Sequence, residues 1–146
     1  MGADIGLLIK LKNGEPGKNI TISDLGGADD FYHLVMDGHA NYIDLQLSDE
    51  TKEKISSYKI VEDSSSPMGD GSSEEPIFLA PWKLKNIAEA IRTDLIRKIN
   101  KGEFTVNSQN HLHVHNIMQI VGGIISICGY VSEYNQDEVA LVCIWY

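Results

Sequence analysis

The run His111-Leu112-His113-Val114-His115 places three imidazoles at alternate positions. Neutral imidazole is the commonest protein ligand for zinc, nickel or copper, and three of them plus a water make a hydrolytic metal site. In a strand, positions 111, 113 and 115 share one face. In a helix, His111 and His115 pair one turn apart and His113 points elsewhere. No carboxylate lies beside the run, so a general base or orienting partner must come from Asp29, Asp30, Asp44 or Glu103. The plainer reading is a polar surface with no metal.

Two family patterns contain similar spacing, and the sequence departs from both. The His-x-His core of metallo-hydrolases is completed by Asp-His, whereas Asn116 follows His115 here. Two-histidine phosphoesterases pair His-x-Thr/Ser motifs, whereas the residues two after these histidines are His, His and Ile. Neither family is assigned.

Other chemical signatures are incomplete. The acidic window from Asp63 to Glu74 has Pro67 and Met68 where a calcium loop needs an oxygen ligand and a glycine. Gly26-Gly27 and Gly69-Asp70-Gly71 lack the partner residues of phosphate-binding loops. Cys128 and Cys143 are too few for a disulfide framework or a four-cysteine zinc site. No complete catalytic set emerges, so a protein without catalysis and without a cofactor is expected.

Charge is more informative. The 146 residues carry a formal net charge of −9. Residues 1–79 hold 15 of the acids against 6 Lys and Arg, while residues 80–146 are balanced. Such a field repels nucleic acid and anionic lipid and attracts basic partners. The leading expectation is a small acidic binding or inhibitor protein that occludes a basic protein target. Asp29, Asp30, Asp44, Glu62, Asp63, Asp70, Glu74 and Glu75 are the candidate contacts. In length and acidity the chain is similar to toxin-immunity proteins and phage-encoded inhibitors of host defence, with no motif behind the likeness. One alternative is a metal-dependent hydrolase or metal-binding protein using His111, His113 and His115, with one transition metal such as zinc. The other is a structural subunit of a larger assembly. The N-terminus shows no secretory pattern, which points to the cytoplasm. The apolar stretch from Ile117 to Val131 is short for a bilayer span and reads as core. Oligomeric state is left open by these patterns.

The elements that must position these residues follow from periodicity. Ile5, Leu7, Ile9 and Leu11 alternate with the intervening residues as in a strand, and Asn19 to Ser23 reads as its hairpin partner. Phe31, Leu34 and Val35 predict a short helix over 28–36 that Gly38 stops. Residues 42–47 alternate as a strand, Ser48 reads as a cap, and a helix is predicted from Asp49 to about Tyr58. A weak strand is placed at 59–61. Residues 62–76 are polar and aperiodic, which predicts a mobile acidic loop. Leu84, Ile87, Ala88, Ile91, Leu95, Ile96 and Ile99 predict a long amphipathic helix over 81–101. Segment 108–121 favours helix over strand, capped by Asn107 or Ser108 and ended by Gly122-Gly123. Residues 124–133 and 138–146 then form a final hairpin with Cys128 opposite Cys143, its second strand interior to the sheet. The expected whole is one α+β domain over 1–146. Its mixed or antiparallel sheet packs against the long helix, with shorter helices around it.

Overall fold

The computed structural model describes the backbone of residues 3–11, 16–23, 28–58, 61–62, 77–134 and 136–145, and the side chains of 30–40, 42–58 and 80–133. The chain is broadly α+β, with four helices among the described residues, the expected long helix being one of them. Strands β1 (Ala3–Leu11) and β2 (Pro16–Ser23) pair antiparallel, as alternation and the intervening turn residues require. Helix α1 (Ala28–Asp37) follows and buries Phe31, Leu34 and Val35. It stops at Gly38, which has φ +73° and donates its N–H to the Leu34 carbonyl at 3.1 Å. A left-handed residue at this position satisfies a helix-end carbonyl at no Cβ penalty.

Residues 42–47 do not form the expected continuous strand. Two short strands, β3 (His39–Ala40) and β4 (Leu45–Gln46), pair across a 3-10 turn at Asn41–Ile43. The alternation was nonetheless a burial signal. Ile43, Leu45 and Leu47 are buried, while Tyr42, Asp44 and Gln46 face solvent. Asp44 has φ +52°, so the chain turns there and pairing cannot run through it.

Helix α2 (Asp49–Ser57) begins where expected, but the Ser48 side chain makes no capping bond to it. Strands β5 (Val61–Glu62) and β6 (Ile77–Leu79) pair with each other. Of the expected loop at 62–76, Glu62 belongs to β5 instead, and residues 63–76 lie outside the described residues. Helix α3 (Pro81–Asn100) has proline in its first turn and buries Leu84, Ile87, Ala88, Ile91 and Leu95. It ends in a Schellman pattern, with Gly102 N–H bonded to Ile99 O and Glu103 N–H to Lys98 O. Ile96, expected in the buried stripe, is 43% exposed.

The largest departure comes next. Helix α4 (His111–Val131) does not stop at Gly122-Gly123, and residues 124–131 are helix rather than strand. The final hairpin is therefore absent. Cys128 lies on α4, while Cys143 lies on strand β7 (Gln136–Trp145) opposite Ile5 of β1. The reason is the buried stripe Val114, Ile117, Val121, Ile124, Cys128 and Val131, one side chain per half heptad, which packs chiefly on α3. Each interior glycine costs about 1 kcal/mol of helix propensity. Burial of one large aliphatic side chain contributes about 1.5–3 kcal/mol, so the stripe outweighs the three glycines Gly122, Gly123 and Gly129. Helix α4 is also long and apolar enough to cross a membrane by length and composition, with 44% of its most apolar window buried inside the molecule.

The five-stranded sheet has the order β2-β1-β7-β6-β5, every described pairing being antiparallel. Strand β7 is interior, as its apolar sequence requires. Helices α1 and α3 both approach β7, and α1 also contacts β1 and β3.

Candidate functional site

The helical state of 111–131 decides the fate of the three histidines. His111 and His115 lie one turn apart on α4, and both are exposed. His113 is turned away from them and toward α1. The three imidazoles are not brought together, and no group of three metal-ligating side chains forms among the described residues.

His113 instead meets one of the carboxylates named as a potential partner. Its Nδ1 lies 3.4 Å from Asp30 Oδ2, with the Asp30 side chain 2% exposed and the His113 side chain 38% exposed. Both atoms are shielded from solvent. The separation exceeds that of a formed N–H···O bond, so the pair acts as an electrostatic contact. A carboxylate on that side favours the tautomer with its proton on Nδ1 and a free lone pair on Nε2. The half-exposed ring thus turns its Nδ1 edge toward a buried carboxylate.

The same ring supports an aromatic residue. Tyr42, on the turn between β3 and β4, stacks on His113 with ring planes 7° apart and centroids 6.1 Å apart. Tyr42 is 73% exposed. Its outward neighbour Asp44 has a 99% exposed side chain and lies 3.6 Å from His39 Nε2. Buried Ala40, Ile43 and Leu45 anchor the turn from beneath. Tyr42 carried a legible signal, an aromatic side chain on the polar side of an alternating run, and the reading of the sequence passed over it.

The remaining predicted contacts separate. Asp30 is a buried core acid rather than a surface contact. Asp29 lies on α1 and Glu62 on β5, with only their backbone described. Asp63, Asp70, Glu74 and Glu75 lie outside the described residues. Asp44 alone of the eight is a described, exposed acid.

A second polar centre holds α2 to α3. Asp94 is 1% exposed and accepts the Ser48 N–H at 2.8 Å and the Ser48 hydroxyl at 3.1 Å. Arg97 Nη2 donates to the same carboxylate and to Ser48 Oγ. Burial alone would raise the Asp94 carboxyl, but the bonds from Ser48 and Arg97 and the Arg97 charge outweigh it and hold it below the usual carboxylate range. Asp94 therefore does at a distance what a local cap would do, accepting an orphan N–H at the start of α2. Beside it runs a groove of about 280 Å³ lined by Glu50, Thr51, Lys54, Glu89, Thr93 and Asp94, with charges of both signs.

Cys128 is fully buried, and burial pushes its thiol up to about 12 against a weaker opposing effect of Lys85. Such a thiol is a packing residue, not a nucleophile.

No protein-family model, no curated protein and no solved structure matches the chain.

Proposed function

We propose that this chain is a small acidic binding protein that occludes a basic protein target, in the manner of a toxin-immunity or anti-defence inhibitor. The observation that carries this reading is the exposed acid of the segment from α1 through α2. Asp37, Asp44, Asp49, Glu50 and Glu53 are all exposed there, and Lys54 is the one exposed Lys or Arg among the described residues of 30–58. A predominantly acidic surface steers a basic partner toward it and disfavours nucleic acid and anionic membranes. In this reading the chain is one cytoplasmic domain, with the sheet packed through β7 against α3 as the rigid support of the acidic face.

The test begins with native mass spectrometry of untagged protein purified without chelator. A co-purifying basic protein is the expected species. Its affinity should fall with salt, and should fall again when Asp44, Asp49, Glu50 and Glu53 are changed to their amides. An affinity and salt dependence untouched by those four changes would overturn the assignment of the face.

A second reading is favoured by the exposed His111 and His115, one turn apart on α4. That spacing suits a two-imidazole site for a transition metal such as zinc. A single metal ion retained in the native spectrum, and lost on His111→Ala, would replace the inhibitor reading with this one.

A further inference from the structure

We infer that the outward face of Tyr42 is a platform for an arginine side chain of the partner, with Asp44 as its charge mate. The inference rests on the acidic binding reading and names the contact that would give it specificity. The Tyr42 ring lies parallel to the His113 imidazole, whose Nδ1 edge meets the buried Asp30 carboxylate. An exposed tyrosine is ordinarily free to turn. This one lies parallel to a ring whose own far edge faces a buried acid, so one face is backed and the other is open.

The open face suits a guanidinium better than any other common group. Arginine stacks as a plane on aromatic rings and then uses its edge for a carboxylate, whereas an ammonium is a strongly hydrated point charge. Asp44, two residues on from Tyr42 in the same turn, has a 99% exposed carboxylate. His39 Nε2 lies 3.6 Å from that carboxylate. An aromatic anchor beside an exposed acid, on a turn held by buried Ala40, Ile43 and Leu45, is the composition of an interface hot spot for a basic protein.

The probes are an oligo-arginine and an oligo-lysine peptide of equal length, titrated into the intact protein while the Tyr42 ring resonances are followed. The arginine peptide should bind roughly threefold more tightly, the increment of an exposed cation–π contact. Tyr42→Leu should erase that preference and leave lysine-peptide binding unchanged. His113→Ala should reduce the preference by freeing the Tyr42 ring, and Asp44→Asn should weaken both peptides. Equal binding of the two peptides by the unaltered protein, or a preference that survives Tyr42→Leu, would overturn the platform and leave the acidic face standing. Binding of neither peptide would overturn the acidic reading itself, and the platform with it.

Discussion

Replacing Asp94 by alanine should be the most costly single polar change among the described residues. The carboxylate is 1% exposed and holds both the N–H and the hydroxyl of Ser48, 46 positions away in sequence, as well as Arg97. Hydrogen bonds to a charged group contribute about 1.5–3 kcal/mol each. Arg97 is 38% exposed and regains water when its partner is removed, so its bond is discounted. The two Ser48 bonds at the low end of that range give a loss of about 3 kcal/mol. That falls at the bottom of the range for breaking a buried ion pair, about 3–5 kcal/mol. Urea denaturation followed by circular dichroism at neutral pH reads the loss directly. The pH dependence adds a second readout. The folded-state pKa of Asp94 is lowered, so its stabilisation is fully present above the usual carboxylate value of 3.8 and is lost as pH falls through the lower folded value. The gap between the parent protein and Asp94→Ala should therefore narrow on acidification below 3.8. A loss under about 1 kcal/mol at neutral pH would refute the claim that this carboxylate joins α2 to α3. So would a gap that stays constant into strong acid.

Two further predictions concern α4 and the helix ends. Ile124→Ala should destabilise by about 2–5 kcal/mol, the range for emptying a filled core position. Leu112→Ala, at a position 60% exposed, should be near neutral, and the reverse order in a denaturation series would mean that the register of α4 is wrong. Gly122→Ala should raise stability by up to about 1 kcal/mol, because nothing lies within 4 Å of the added Cβ and the helix gains propensity. Gly38→Ala should instead lower the melting temperature, because φ is +73° and the added Cβ would meet Lys52 Cε at 2.7 Å.

Most of the local structure was legible wherever one apolar stripe faced one polar stripe. The hairpin β1–β2 and the helices α1 and α3 are of this kind. The error over α4 was an error of phase. Read at 112, 115/116, 119 and 122/123, the segment shows no clean stripe, because 112, 115 and 119 are exposed. Shifted to 114, 117, 121, 124, 128 and 131, the same segment shows an unbroken buried face. Two glycines at a plausible stopping point then disguised the continuation, because local propensity carries no record of the α3 surface waiting beyond them. Ile96 failed for the opposite reason: it is apolar and close to the stripe, yet it lies on its outer margin. The site was less legible still. Asp30 was singled out as a surface contact and as one of four possible partners of the histidine run, and His113 as a metal ligand. Their meeting depends on how α1 crosses α4, which no local pattern encodes. The Asp94–Ser48 contact is hidden in the same way.

The placement of β7 between β1 and β6 has a kinetic consequence. Ile5 must find Cys143, with all four described helices and the β3–β4 pair lying between them in the chain. Contacts of such long sequence separation form late, because the entropy of closing the intervening loop must be met before the pairing offsets it. The contacts within α3–α4 span far less chain and can form first. Refolding should therefore show helical signal recovering ahead of the sheet. During that interval the β1–β2 hairpin presents an unpaired edge to other molecules, which makes this the stage most prone to aggregation.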